Sequence, residues 1–179
     1  KFENVKLVNH PRNLGYAATT QTCLSKSGGD IVFVIDSDRQ HDVSDIPKFI
    51  EKINDGYDVV IGWKKKRNDP PLRILMAKIY NLLFSLMFKY RLHDVDCGFR
   101  CMSSKVAKKI KIEYYNVPVG PEIVAKALKY GMKVTEIPVI HRKRIKGKSI
   151  WKIWKMPYVV LKIVIGLIRL KQKIGSLYL

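Results

Sequence analysis

The chain has 179 residues, of which 47% are hydrophobic, so it is long enough for one ordinary domain and too apolar for a disordered tail. Its 34 Lys and Arg residues outnumber 15 Asp and Glu residues, and the formal net charge of +19 predicts an anionic partner: nucleic acid, a phospholipid surface or a phosphorylated substrate. The three cysteines show no metal-type spacing, which favours free thiols in a reducing compartment.

The first predicted elements surround a very apolar segment. A short strand is predicted at residues 5–10, followed by a loop and a helix that ends at Gly28 and Gly29. Residues 31–36, with the sequence IVFVID, are apolar on both faces of a strand. That pattern predicts a central strand in a parallel sheet.

Strand and helix alternate through the middle of the chain. A helix is predicted over residues 43–55 with Ser44 as its N-cap, and a strand follows at residues 57–63. This alternation predicts an open α/β sheet. A basic loop then leads into a long apolar helix at residues 72–90.

The second half of the chain is predicted to add three helices and one strand. Residues 93–110 read as a polar turn that leads into a helix, and residues 120–131 read as the next helix. Residues 132–141 alternate in the manner of an edge strand. The last segment, residues 150–173, has helical periodicity despite Pro157.

Acidic side chains follow the most strand-like segment of this basic chain. Asp36, Asp38 and Gln40 alternate directly after the apolar run, at the end of a strand where open α/β sheets bind ligands. On an extended segment, alternating oxygens can converge on a hard divalent cation. The other interpretation is that Asp36 caps the next helix and the remaining residues form a solvated turn. A single Asp-x-Asp does not decide between the two.

Several segments in the same order resemble glycosyltransferase family 2, the inverting enzymes with a GT-A fold, and most closely its dolichol-phosphate mannose synthase-like branch. Residues 29–53 are similar to the family's metal-binding segment, with Asp-x-Asp-x-Gln-His. Residues 12–30 resemble its Asn-x-Gly segment, and residues 69–86 its acceptor-side helix. Residues 94–102 resemble the Asp-x-x-x-Gly-Phe-Arg element, and residues 136–149 the closing Arg-x-x-Gly-x-Ser loop.

This resemblance implies a Rossmann-like open mixed sheet flanked by helices. It implies that Asp36, Asp38 and Gln40 bind Mg²⁺ or Mn²⁺, and that both aspartates contact a GDP- or UDP-sugar donor. Arg144 and Lys148 on the closing loop are then expected to bind the donor diphosphate. The family's first strand and its Asp-Gly-Ser segment, which form much of the base and ribose pocket, are expected upstream of this sequence.

The acceptor side is expected to follow the long helix. By the resemblance, Asp94 or Asp96 is the catalytic carboxylate that orients the nucleophile or a sugar hydroxyl; the other interpretation is a turn that caps the next helix. Arg100 is predicted to bind the acceptor phosphate, together with Lys65 and Arg67 of the basic loop. A phosphate nucleophile is already anionic, so a single inverting displacement depends on positioning and on stabilising the leaving diphosphate.

Two amphipathic helices predict association with a membrane. No uninterrupted apolar run reaches the roughly 18 residues of a spanning helix, so both helices are expected to lie in the bilayer interface, on the cytoplasmic face. We therefore divide the chain into a GT-A domain at residues 1–149 and a membrane-associated helix at residues 150–179. The polar stripes are Lys78, Asn81, Ser85 and Lys89 on the first helix and Lys155, Lys162, Arg169 and Lys173 on the second.

Together these features predict a membrane-associated, metal-dependent hexosyltransferase. It is expected to move a sugar, mannose or glucose, from a nucleotide to a polyprenyl phosphate such as dolichyl phosphate. One alternative is a family 2 enzyme that acts on a glycan or a soluble acceptor. The alternative of another class is a non-catalytic basic module that binds anionic lipid or nucleic acid. Nucleic acid is disfavoured because the basic runs lack interleaved aromatic residues.

Overall fold

A mixed sheet flanked by helices forms the centre of the molecule, as the sequence predicts. The structure, a computed structural model, describes residues 3–67, 69–113, 118–142 and 156–176. In chain order its elements are α1 (Tyr16–Lys26), β1 (Ile31–Val34), α2 (Ile46–Asn54, preceded by a 3₁₀ turn at Val43–Asp45), β2 (Val59–Lys64), α3 (Pro71–Phe88), β3 (Arg100–Ser103), α4 (Ser104–Lys109), α5 (Val119–Lys129), β4 (Val134–Val139) and α6 (Met156–Ser176).

The sheet of described residues has the order β1-β3-β2-β4. β3 runs antiparallel to both of its neighbours, and β2 and β4 are parallel. The edge position predicted for β4 is confirmed. The central, parallel position predicted for β1 is wrong, because β1 lies at the other edge of this sheet and pairs antiparallel with β3. The side chains of β1 all pack against the core, so the strand is apolar along its whole length. A central strand has the same apolar pattern, and the sequence alone therefore cannot distinguish the two positions.

The strand β3 was not predicted from the sequence. It has only four residues and begins with Arg100, so its composition does not indicate a strand. Cys101 pairs with Phe33 of β1 on one side and Val60 of β2 on the other, and this double pairing defines the strand. Cys101 on this strand and Cys97 before it are both buried free thiols.

The strand predicted at residues 5–10 is also wrong. These residues, which lie within the described part of the chain, form no strand, and Val5 and Leu7 are 67% and 83% exposed. Apolar side chains alone do not make a strand when no neighbouring strand pairs with the backbone.

The two long helices contact each other and share part of the core. α3 is only 6% buried and is the one helix of the described residues whose length and composition suffice to cross a membrane. α6 packs against α3 and α5, and its Leu167 and Leu170 are fully buried. Pro157 is tolerated because it lies in the first turn of α6, where no intrahelical donor is needed.

Candidate active site

The acidic residues lie on a tight turn after β1. The strand ends at Val34, and the carboxylate of Asp38 accepts a hydrogen bond from the backbone N–H of Gln40 at 3.1 Å. Arg39 between them has a left-handed φ of 61°. The expectation of an extended segment is therefore wrong: a turn presents the carboxylates, because a short acidic side chain competes with strand pairing for the backbone N–H.

Gly98 makes room for the carboxylate of Asp36. A β-carbon at position 98 would lie 1.9 Å from Oδ2 of Asp36, so the carboxylate lies directly against this glycine. The hydroxyl of Tyr16 donates to Oδ1 of the same carboxylate at 3.3 Å. Asp36 does not cap the next helix, because Asp42 accepts the bond from the N–H of Ser44 at the start of the following 3₁₀ turn. The capping interpretation of Asp36 is wrong.

A buried guanidinium lies near enough to this carboxylate for their charges to interact. Arg100 on β3 is only 1% exposed, and its Nε and Nη1 have no hydrogen-bond partner among the described residues. Its positive charge lowers the pKa of both Asp36 and Asp96, against the larger effect of burial. A β-carbon at Gly120 would lie 3.2 Å from Nη1, so the first turn of α5 covers the guanidinium. Contact between Arg100 and an acceptor phosphate stays a prediction.

Loss of hydration raises the pKa of two carboxyl groups near Arg100. The pKa of Asp36 is raised by loss of hydration and by the nearby charge of Asp38. The pKa of Asp96 is raised to about 6, mainly by loss of hydration and further by Asp94. Asp96 is nevertheless exposed at the surface of the described chain, so its carboxyl group is accessible to a ligand. Such carboxyl groups are typical of functional sites.

Asp94 lies between Asp96 and the basic residues at the end of β2 and in the loop that follows. It is 6% exposed, and one of its oxygens lies 3.5 Å from the Lys64 ammonium and 3.5 Å from the Arg67 guanidinium. Arg67 also bonds Asp69 at 3.1 Å, whereas Lys65 is exposed. Lys65 and Arg67, which were both predicted to bind the acceptor phosphate, therefore have different surroundings. Lys65 faces solvent, whereas Arg67 is held by the carboxylates of Asp69 and Asp94. Asp94 does not cap α4, because β3 comes between them.

The loop that carries Asp94 is held by α3 and β4. The side chain of Asn81 donates to the carbonyl of His93 at 2.7 Å and accepts from the N–H of Val95 at 3.0 Å. His93 also bonds the carboxylate of Glu136 through its backbone N–H at 2.8 Å and through its ring, which stacks on Trp63. Asn81, predicted as part of a membrane-facing stripe, therefore positions the loop of the site.

The acidic turn is also bonded to the segment that follows β4. The amide nitrogen of Gln40 donates to the carbonyl of Arg142 at 3.2 Å, and the backbone N–H of Arg142 donates to the carbonyl of Gln40 at 2.7 Å. His41 and His141 form an antiparallel bridge beside it, and burial lowers the pKa of each to about 4, so both are neutral at physiological pH. Arg144 and Lys148, predicted to bind the donor, lie outside the described residues.

The donor atoms of the acidic turn fit a hard cation that is held jointly with a ligand. Asp36 and Asp38 lie close enough for their charges to interact, and carboxylate oxygen is the donor that Mg²⁺ and Mn²⁺ prefer. Among the described residues, no group of three His, Cys, Asp or Glu side chains could hold a metal ion alone. The remaining ligands would therefore come from elsewhere, such as the oxygens of a diphosphate.

Two residues of the cleft were missed by the sequence reasoning. Tyr16 bonds Asp36, and its only signal was its place directly after the tripeptide Asn13-Leu14-Gly15. Lys64 pairs with Asp94 and also lies near enough to Asp36 and Asp96 to lower their pKa values. Its signal was its position as the last residue of β2, at the carboxyl end of a strand.

The chain is similar to several known proteins. The profile of Glycosyl transferase family 2 matches residues 1–111. The chain is 26% identical over 178 residues to dodecaprenyl-phosphate galacturonate synthase of Rhizobium johnstonii, covering 97% of this chain and 52% of that protein. It is 27% identical over 172 residues to undecaprenyl-phosphate 4-deoxy-4-formamido-L-arabinose transferase of Salmonella paratyphi B, covering 92% and 51%. The chain thus spans about half the length of these relatives.

Solved structures share the fold. The crystal structure of glucosyl-3-phosphoglycerate synthase from Mycobacterium tuberculosis with Mn²⁺, UDP and phosphoglyceric acid matches with a TM-score of 0.63 at 15% identity, covering 90% of this chain and 56% of that chain. The complex of the same synthase with Mn²⁺ and UDP-glucose matches with a TM-score of 0.65 at 16% identity, covering 91% and 56%. The fold is GT-A-like.

Proposed function

The chain belongs to glycosyltransferase family 2, and from this we propose that it transfers a sugar from a nucleotide-sugar to a polyprenyl phosphate at a membrane surface. Both relatives described above are named for sugar transfer to a polyprenyl phosphate. The observation that carries the proposal is the group in which Asp36 lies against Gly98, near enough to Arg100 and Asp96 for their charges to interact. A module that only binds polyanions gains nothing from acidic groups at this place.

The acidic turn forms the donor side of the proposed site. Asp36 and Asp38 would hold Mg²⁺ or Mn²⁺ together with the donor diphosphate; Gln40, predicted as a third ligand, joins the turn to β4 through its amide. When bound, the cation neutralises charge on the departing nucleotide diphosphate. Arg144 and Lys148 remain the proposed diphosphate contacts from the closing loop. A similar structure that contains Mn²⁺ and UDP supports this choice of cation.

The two acceptor-side aspartates have different roles in this proposal. Asp94 is buried between Lys64 and Arg67 and sets the position of these cations. Asp96 has accessible surface and a pKa raised to about 6, so it is the carboxyl group that faces the reactants and orients the nucleophile or a sugar hydroxyl. The phosphate oxygen of the acceptor attacks the anomeric carbon, and the bond from that carbon to the diphosphate oxygen breaks in the same inverting displacement, which releases the nucleoside diphosphate.

The long helices are proposed to rest on the cytoplasmic surface of the membrane. Both carry exposed apolar side chains at alternating spacings of three and four residues, which places them on one stripe of each helix. Because α3 and α6 pack together, the stripes suit a single apolar surface and bring a lipid acceptor near Asp94. The stripe residues are Leu72, Leu75, Ile79, Leu82 and Leu86 on α3 and Tyr158, Leu161, Ile165 and Ile168 on α6.

The sugar and the lipid are finer parts of the proposal. We propose mannose or glucose, carried by GDP or UDP, as the first sugars to test, because the sequence resembles the dolichol-phosphate mannose synthase-like branch. The relatives are named for galacturonate and a formamido-arabinose, and for undecaprenyl and dodecaprenyl lipids. The test panel therefore contains nucleotide-sugars of each class with dolichyl and undecaprenyl phosphates.

The proposal is tested by incubating the protein with this panel and Mn²⁺ and following radiolabelled sugar into the lipid phase. We expect lipid-linked product from one donor, and strong loss in the Asp96→Asn variant with little change in its fold. Asp94→Asn should mainly weaken acceptor use, because Lys64 and Arg67 lose their common partner. Sugar transfer only to a soluble acceptor would favour the alternative of a glycan-directed family 2 enzyme, and absence of transfer with the whole panel would contradict the proposal.

A further inference from the structure

A charged cavity lies between α4, α5 and α6 and shares no residue with the candidate active site. Its volume is about 320 Å³, and its wall is formed by lysines from three helices and the segment after α4. We call it the basic pocket. Its lysines are Lys109, Lys111, Lys126, Lys129 and Lys173, and its other lining residues are Glu113, Tyr130, Leu170 and Ile174.

An ionic network around Lys126 forms part of the basic pocket. The ammonium of Lys126 donates to Glu122 at 2.7 Å, to Glu113 at 2.9 Å and to the carbonyl of Lys111. Glu122 is fully buried and also accepts the backbone N–H of Glu113 at 2.7 Å. This network ties α5 to the segment after α4, so the pocket is built into the fold and does not depend on one mobile side chain.

The wall of the basic pocket is rich in positive charge. Among the described residues, five lysines and one acid, Glu113, line it, and Lys126 of the wall also bonds Glu122. Lys173 lies 3.6 Å from Glu113, the carboxylate that Lys126 already holds. Like charges gathered in a concave surface repel one another and concentrate a positive field, which a bound anion relieves.

The other walls indicate the kind of anion. Lys109 lies over the ring of Tyr130, 4.4 Å from its centroid, which directs this lysine along the wall. Leu170 and Ile174 of α6 supply apolar surface beside the cations. Several ammonium groups around a small cavity suit the oxygens of a phosphate group, and the apolar wall suits an organic substituent on it.

We propose that the basic pocket binds a phosphate group, either free phosphate or the headgroup phosphate of an acidic phospholipid. The pocket lies outside the proposed transferase site, so this inference does not depend on the reaction. Its position beside α6, a helix proposed to contact the membrane, makes an acidic lipid one natural source. The two sources share one chemistry and are separated by the experiment.

The test compares two double variants with the same change of charge. Lys109→Ala/Lys111→Ala removes two exposed lysines of the pocket and leaves the Lys126 network in place. Lys105→Ala/Lys108→Ala is the matched control, because both residues are exposed on the same helix α4 but do not line the pocket. Urea unfolding of each variant checks that the fold is intact.

Binding is measured by calorimetric titration of inorganic phosphate at constant ionic strength, set with chloride. We expect the control to bind as the wild type does and the pocket variant to bind about tenfold more weakly or worse, the factor for losing a hydrogen bond between charged groups. Sedimentation with phosphatidylglycerol-containing vesicles, against phosphatidylcholine alone, forms the second arm.

The two arms identify the source of the phosphate. A loss specific to the pocket variant in calorimetry assigns the site to free phosphate, and a specific loss confined to anionic vesicles assigns it to a lipid headgroup. Equal binding by the pocket variant and its control in both arms overturns the proposal. Neither arm measures sugar transfer. A negative result in the transferase assay therefore leaves the phosphate site untouched, and a negative result here leaves the proposed transfer reaction untouched.

Discussion

The contact between Asp36 and Gly98 allows a direct test of the site geometry by Gly98→Ala. The added methyl group would lie 1.9 Å from a carboxylate oxygen and 2.5 Å from the carboxylate carbon. An ordinary contact needs about 3.5 Å, so the carboxylate has to move by roughly 1.5 Å. Gly98 is not among the residues with positive φ, so the cost comes from this contact and not from backbone strain.

Overpacking of this kind destabilises a protein by about 1–3 kcal/mol. We expect Gly98→Ala to lower the free energy of unfolding by that amount in urea titrations followed by tryptophan fluorescence. Gly28→Ala is the matched control, because a β-carbon there meets nothing within 4 Å, and it should be nearly neutral. A displacement above 1 Å should also reduce Mn²⁺-dependent binding of a nucleoside diphosphate, in line with the roughly 100-fold effects of such misplacements on catalysis.

A double-mutant cycle identifies the cause of the loss. Asp36→Ala removes the group with which the new methyl collides, so Gly98→Ala should cost little in the Asp36→Ala background. The coupling between the two changes should then be about the size of the loss in Gly98→Ala alone. Additive effects, or a Gly98→Ala variant as stable as Gly28→Ala, would refute the assigned contact.

Three further predictions address the pH dependence, the cation and the membrane. The folded state holds the proton of Asp96 more tightly than the unfolded state, because its pKa is raised to about 6 from 3.8. The stability that this proton contributes is fully present below the pKa of the unfolded state, 3.8, and it is lost as the pH rises through the folded-state pKa of about 6. Asp96→Asn should therefore stabilise the fold at about pH 8 and not at about pH 4, and an equal effect at both would contradict this. Asp38→Ala should abolish Mn²⁺-dependent binding of a nucleotide-sugar in calorimetry, whereas Asp58→Ala, outside the turn, should retain it; full activity in excess chelator would contradict the metal role. Leu82→Glu on the exposed stripe of α3 should reduce flotation with anionic liposomes, whereas Lys105→Glu, an exposed change on α4, should reduce it less.

Truncation of α6 is a poor probe of membrane binding in this fold. Leu167 and Leu170 are fully buried, so removing residues 150–179 would expose the core that they cover. Loss of membrane binding in such a variant would follow from unfolding alone. Substitutions on the exposed stripe, which keep these buried contacts, separate surface effects from core effects.

Local patterns in the sequence determined the helices and the position of the acidic residues. The apolar stretch 72–90 became α3, because a continuous apolar run of that length is typical of a helix. Asp36 and Asp38 follow β1 as predicted, since a strand end is visible where an apolar run meets polar residues. The ordered series of motifs was specific enough to indicate the family, whose profile matches residues 1–111.

Only the tertiary structure decided which of these residues meet. β3 is a strand because β1 and β2 pair with its two edges, and no property of its four residues indicates this. That pairing brings Arg100 near Asp36, and the closeness of Gly98 to the same carboxylate depends on it. Lys64 and Asp94 are 30 positions apart, and their ion pair at 3.5 Å forms where the end of β2 meets the loop after α3. A sequence specifies local propensities, whereas these long-range contacts arise from how the strands and helices pack.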